Sequence, residues 1–143
     1  MNDCTCRTTG LLPLLHRAGV AVVERIEESL EPWGLSLAKL RALEQLDAAP
    51  AGLPLGHLAE RLACVKSNVT QLVDRLEADG LVRREPSAAD RRCVVATLTE
   101  RGRASYRSAR EAREQAEREV MERLSDGDRD RLVQLLARLA AAE

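Results

Sequence analysis

Ala63-Cys64-Val65-Lys66-Ser67-Asn68-Val69-Thr70-Gln71-Leu72-Val73-Asp74-Arg75-Leu76-Glu77-Ala78-Asp79-Gly80 opens the stretch, Leu62 to Leu98, on which the fold turns. From Val65 the apolar residues Val69, Leu72, Val73 and Leu76 recur at three- and four-residue steps, which sets them on one face of a helix. Lys66, Ser67, Asn68, Thr70, Gln71 and Arg75 fall mostly on the other face. Gly80 follows the last apolar turn, where glycine adopts the left-handed, helix-ending conformation at least cost. Next come two short β-prone runs, Leu81-Val82-Arg83-Arg84-Glu85 and Cys93-Val94-Val95-Ala96-Thr97-Leu98. The turn-forming, basic segment Pro86-Ser87-Ala88-Ala89-Asp90-Arg91-Arg92 joins them, so the spacing predicts a hairpin. Upstream, Leu55, Leu58, Ala59 and Leu62 form a short helix. Short helix, turn, polar-faced second helix and basic hairpin together make a winged helix-turn-helix, a device that sets one helix in a DNA groove with a basic loop beside it.

A chain of 143 residues holds one domain, or one domain with an extension, and is long enough for a real core. Its apolar content of 45% is almost wholly aliphatic, with no Phe, one Trp and one Tyr, so any pocket is expected to be lined by Leu, Val and Ala. Net charge is −1, and global charge therefore gives no argument for a nucleic-acid partner. Between Leu53 and Arg103 nine Lys/Arg face seven Asp/Glu, and four of the nine (Arg83, Arg84, Arg91, Arg92) flank the hairpin loop. No apolar run approaches the roughly 20 residues that cross a bilayer. Met1-Asn2-Asp3-Cys4-Thr5-Cys6-Arg7 lacks the pattern of a secretory signal. The expectation is a cytoplasmic protein with no membrane partner and four reduced cysteines.

Residues 1–10 read as a flexible polar tail. Residues 11–34 carry Leu11, Leu15, Ala18, Gly19, Val22, Val23, Ile26 and Leu30 at helical spacing, with Pro13 in the first turn. Glu31-Pro32-Trp33-Gly34 ends that helix, and Ser36 caps a second one bearing Leu37, Leu40, Leu43 and Leu46. Residues 35–102 form the winged domain. Residues 103–143 begin in the helix capped by Thr99, whose Arg107/Glu111, Arg110/Glu114 and Glu114/Arg118 stand at pairing distance, and end in a helix capped near Ser125 with Leu132, Leu135, Leu136 and Leu139. The fold class is mainly α with a small β-hairpin wing, a winged helix-turn-helix flanked by terminal helices. One winged domain cannot cover the apolar stripes of those flanking helices, so they are expected to interlock between two copies in a two-fold homodimer. Two recognition helices about 34–36 Å apart would then read successive major grooves on one face of double-stranded DNA.

Leu58-Ala59-Glu60-Arg61-Leu62, Val69-Thr70, Leu72-Val73-Asp74-Arg75-Leu76-Glu77, Gly80-Leu81-Val82-Arg83-Arg84, Asp90-Arg91-Arg92 and Leu98-Thr99-Glu100-Arg101-Gly102 resemble, in order and spacing, the signature of MarR-type transcriptional regulators. The Asp-x-Arg wing followed by Leu-Thr-x-x-Gly is its specific part. The resemblance implies a homodimer bound to a pseudo-palindromic operator, usually as a repressor, and released by a small ligand or by thiol chemistry. It implies that Arg92 reaches the minor groove, that Asp90 shapes the wing loop, and that Lys66 to Gln71 face the major groove. Val65 departs from the Ser or Thr that often caps this helix in the family.

The DNA-binding set is therefore Lys66, Ser67, Asn68, Thr70, Gln71, Arg75, Arg84, Asp90, Arg91 and Arg92. Against the plain reading of solvated charges, arginine suits a narrow, electronegative minor groove, and Asn and Gln make bidentate contacts to adenine. An effector pocket is expected between the terminal helices and the winged domain, at Leu12, His16, Val20, Trp33 and Leu37. Cys64 and Cys93 read either as small hydrophobes, the commoner fate of a free thiol, or as sensors. Cys4-x-Cys6 could form redox partners or supply two soft ligands to a thiophilic metal ion, the one cofactor the chain suggests. His16 and His57 are the only histidines to complete such a site. The alternative readings are an oxidant- or metal-responsive sensor on the same fold, and a protein-interaction module without DNA binding. No nucleophile motif, phosphate-binding glycine loop or paired-carboxylate signature supports an enzyme.

Overall fold

The computed structural model describes residues 10–141. The chain runs α1 (Leu11–Leu30), a 3-10 turn (Glu31–Trp33), α2 (Leu37–Asp47), β1 (Leu53–Pro54), α3 (Leu55–Leu62), α4 (Lys66–Ala78), β2 (Val82–Pro86), β3 (Val94–Leu98), α5 (Glu100–Met121) and α6 (Asp126–Ala140). Three helices start where a hydroxyl was expected to cap them. Ser36 accepts from the Lys39 N–H at 3.2 Å, Thr99 from the Gly102 N–H at 2.9 Å and Ser125 from the Asp128 N–H at 3.3 Å. Each cap satisfies a first-turn donor and stabilises its helix by about 1 kcal/mol.

One aliphatic cluster unites the elements: Leu40, Leu43 and Leu46 of α2, Leu58 of α3, Val69, Val73 and Leu76 of α4, and Val82 of β2 are all but inaccessible to solvent. Burying a side chain of this kind contributes about 1.5–3 kcal/mol, against at most about 1 kcal/mol for an exposed ion pair. The charge ladder of α5 is thus secondary to the core, and only part of it forms. Arg110 meets Glu114 at 2.8 Å. Arg107/Glu111 makes no ion pair among the described residues, and neither does Glu114/Arg118, where Glu114 is taken by Arg110 and Arg118 turns to Gln115 at 2.8 Å.

The sheet contains the expected hairpin, β2 with β3, and adds a strand the sequence did not announce, β1. It has three antiparallel strands in the order β1-β3-β2, with Leu53 opposite Ala96, Pro54 opposite Val95, and Val82 opposite Leu98. A two-residue strand shows no alternation, and Pro54, which lacks an N–H, is tolerable because β1 lies at the sheet edge. Cys93 lies one residue before β3 rather than opening it, its carbonyl accepting from the Ser87 N–H at 2.7 Å.

Around Thr99 four elements meet. Its N–H donates to the Leu81 carbonyl at 3.1 Å and its hydroxyl donates to the Gly80 carbonyl at 2.8 Å, while the same oxygen receives the Gly102 N–H. Gly80 is left-handed at φ 71°, and the Leu81 N–H returns to the Leu76 carbonyl at 2.9 Å, closing α4. Gly102 is pressed so closely on Leu81 that a Cβ would stand 1.9 Å from the Leu81 carbonyl oxygen. Elsewhere the chain is open: Leu11, Leu12 and Leu15 on α1 and Val133, Leu136 and Leu139 on α6 are exposed, Leu12 to 78%. Among the described residues no helix is long and apolar enough to cross a membrane.

Gly102→Ala is expected to lower folding stability by about 2–3 kcal/mol, since backbone and not a pliable side chain must give way. Urea denaturation of both variants checks this, because Gly127→Ala in α6, with nothing within 4 Å of the added methyl, should leave the midpoint unchanged or raise it slightly.

Candidate nucleic-acid interface

The turn between α3 and α4 is three residues, Ala63-Cys64-Val65. Ala63 takes the left-handed conformation (φ 52°), with its N–H on the Glu60 carbonyl at 3.1 Å and that of Cys64 on the Ala59 carbonyl at 3.0 Å. A residue with a Cβ pays about 1–2 kcal/mol there. The packing of Leu58 and Leu62 in one cluster with Val69 and Val73 holds it in place. Val65 then begins α4 with no side-chain cap, only its carbonyl accepting from Asn68 and Val69 at 3.1 and 3.3 Å. An uncapped first turn leaves N–H groups directed outward at the positive end of the helix dipole, a setting that favours phosphate.

On the outer side of α4, Lys66, Ser67, Asn68, Gln71 and Arg75 are exposed. Thr70 differs: it is half-buried and its hydroxyl donates to the Lys66 carbonyl at 3.0 Å. In the wing loop, Asp90 Oδ1 accepts from the Arg92 N–H at 2.9 Å, the Asp90 carbonyl accepts from the Cys93 N–H at 2.9 Å, and Ser87 Oγ accepts from Ala89 at 3.2 Å. These side chains fold the loop on itself and leave Arg91 and Arg92 exposed at its tip.

The arginines at the base of the wing are engaged. Arg83 pairs with Glu85 at 3.1 Å and stays 63% exposed. Arg84 holds Asp74 with one arm of its guanidinium and Glu77 with the other, at 25% exposure. The hydrogen bond to Asp74 raises the Arg84 pKa above its usual value, burial works against it, and Glu77 adds to the rise. Among the described residues, the guanidinium or ammonium groups of Lys66, Arg75, Arg91 and Arg92 have no ion-pair partner. Sequence reasoning did not single out Glu77, which reads as one more solvated acid on the helix. Its partner lies across the Gly80 turn, where helical spacing carries no signal.

Other expected sites are scattered. His16 and Val20 share an open groove of about 560 Å³ on α1 with Leu14 and Arg17, but Leu12 is exposed, Trp33 sits in the 3-10 turn at 44% exposure, and Leu37 packs against the core. Cys64 is an exposed free thiol donating to the Leu62 carbonyl at 3.3 Å, and Cys93 is a half-buried one. Cys4 and Cys6 lie outside the described residues. Among the described residues no three His, Cys, Asp or Glu side chains are grouped to hold a metal ion.

A helix-turn-helix with an exposed polar recognition face and a basic wing beside it defines a winged-helix DNA-binding regulator. A family model described as MarR family matches residues 33–92. The HTH-type transcriptional repressor Rv2887 of Mycobacterium tuberculosis is 30% identical over 128 residues, which are 90% of this chain and 91% of the repressor. Among solved structures, the transcriptional repressor CouR bound to a 23-mer DNA duplex superposes with a TM-score of 0.81 at 32% identity over 92% of each chain. Rv2887 in complex with salicylic acid gives 0.72 at 29% identity, over 94% of this chain and 99% of that one. The chain belongs to the MarR family of transcriptional regulators.

Val65→Ser supplies the missing cap of α4 and is expected to stabilise the protein by about 1 kcal/mol. Val65 is 63% exposed, so no core contact is lost. Melting temperatures of wild type, Val65→Ser and Val65→Ala check this, with only the serine variant rising.

Proposed function

We propose that the chain is a homodimeric transcriptional repressor that binds a pseudo-palindromic operator and leaves it when a small organic ligand binds. The observation that carries this reading is the placement of unpaired cations: Lys66 and Arg75 on the outer side of α4, with Arg91 and Arg92 at the wing tip. Ser67, Asn68 and Gln71 stand between the two helical cations, exposed and free to meet base edges or phosphates. Asp90 acts indirectly, shaping the loop that carries Arg92. A repressor role is supported by the name of the Rv2887 relative, and DNA binding by the duplex-bound CouR structure. A repressor works where its operator is, so this reading takes the protein to be cytoplasmic and to act by binding and not by catalysis.

The dimer rests on the uncovered leucines and valines of α1 and α6, which a second copy of the same helices would bury. The effector would lodge at the α1 groove around His16 and Val20, where Leu14 and Ala21 supply apolar walls and Arg17 and Glu24 one charge of each sign. Salicylic acid on Rv2887 supports a small organic acid as its class. For release to follow, the ligand must bind the DNA-incompetent spacing of the two recognition helices more tightly than the competent one.

Arg92→Ala is expected to weaken binding to the DNA upstream of its own gene and to flatten the dependence of log K on log salt by about one for each wing that loses its phosphate or minor-groove contact. Fluorescence anisotropy across a salt series measures both, and unchanged affinity would remove the wing from the interface. In the same assay salicylate should release wild type from the duplex, with His16→Ala needing more of it. Sedimentation of the wild-type chain as a monomer would overturn the two-fold reading.

A further inference from the structure

Asp74 and Glu77 set two negative charges on α4, the helix whose outer side carries Lys66 and Arg75. Beside a phosphate backbone they are electrostatically unfavourable, so their presence asks for a role other than charge. Both are bound to the wing. Glu77 Oε1 accepts the Arg84 backbone N–H at 3.1 Å, Glu77 Oε2 accepts one arm of the Arg84 guanidinium, and Asp74 Oδ1 accepts the other. On β2, Arg84 stands opposite Ala96 of β3, so this contact ties both wing strands to α4.

The mechanical reason is simple. The Gly80 turn and the bonds of Thr99 hold the base of the wing, β1 pairs with β3 from its other side, and Val82, Ala96 and Leu98 sit in the core. Asp74 and Glu77 add a direct side-chain tie between α4 and β2, further along the strand than the Gly80 turn. Charge-assisted, two-armed bonds between guanidinium and carboxylate suit that task because they set direction as well as distance. Arg91 and Arg92 lie beyond the clamp, so its angle decides whether the loop meets DNA when α4 does.

We propose that Asp74, Glu77 and Arg84 lock the wing to the recognition helix as one rigid reading head, and that Arg84 serves DNA binding as a positioning residue and not as a phosphate contact. This rests on the DNA-binding reading given above. It reassigns Arg84, which the sequence groups with the DNA-contacting arginines, because both arms of its guanidinium are occupied within the chain.

The full chain is tested by fluorescence anisotropy on a labelled duplex from upstream of its own gene, in a salt series. Asp74→Ala removes a negative charge near DNA, yet is expected to weaken binding about tenfold, a coupling of the size that residues in one ion-pair network show. Arg84→Ala should weaken it by a similar factor, and the double variant by no more than either alone. The salt slope should stay at the wild-type value in all three, and Asp74→Glu, which keeps the carboxylate, should recover most of the affinity. Tighter binding by Asp74→Ala, or a slope lowered by about one per half-site in Arg84→Ala, overturns the proposal. Asp74 is 56% exposed, so its variants are expected to fold. If wild type shows no salt-dependent binding to any duplex, the DNA-binding reading fails instead. The lock is then decided on the protein alone by hydrogen exchange at the Ser87 and Cys93 amides, both hydrogen-bonded within the wing. Faster exchange in Asp74→Ala and Arg84→Ala supports the lock, and unchanged exchange overturns it.

Discussion

The close approach of Gly102 to the Leu81 carbonyl is the constraint on which the rest of the structure depends. It lets the first turn of α5 lie against the point where α4 ends and β2 begins, and Thr99 stitches that contact with one backbone and two hydroxyl bonds. The long α5, which also packs on α2 through Tyr106 and Ala109, is thereby joined to the same peptide units that terminate the recognition helix. This gives the Leu-Thr-x-x-Gly signature a physical meaning: hydroxyl for the stitch, absent side chain for the approach.

Around that junction the charges divide by use. Arg25 on α1 with Glu119 on α5, Lys39 on α2 with Asp79 after α4, and Arg84 with Asp74 and Glu77 all connect elements to one another. In the Arg25 pair the hydrogen bond from the guanidinium holds the Glu119 carboxyl below the usual carboxylate range. Lys66, Arg75, Arg91 and Arg92 connect nothing within the described chain. A net charge of −1 therefore coexists with unpaired cations on α4 and at the wing tip, because these acids are taken up in joints between elements.

Periodicity made α1 to α5 and the wing legible, since local spacing alone determines which face of each helix is apolar. Caps at Ser36, Thr99 and Ser125 were equally readable, because a cap is a contact three residues long. What escaped was non-local. β1 is two residues paired with a strand some forty positions later, and Glu77 meets Arg84 across a chain reversal. The expected effector set is non-local too: His16 and Val20 share a groove on α1, while Leu12, Trp33 and Leu37 are not brought together with them within one chain. Lys66, Arg91 and Arg92 could be picked out as exposed cations, but which of the arginines were already occupied was invisible until the third dimension was known.

The scarcity of aromatic residues has an optical consequence. Trp33 is the only tryptophan, and it sits half-exposed in the 3-10 turn between α1 and α2, where the long N-terminal helix meets the winged domain. The single tyrosine, Tyr106, is buried on α5 beside the core. With no other indole in the chain, tryptophan emission comes from one known corner. A change in the angle between α1 and the winged domain is thus written directly into the protein's native fluorescence, with no label attached.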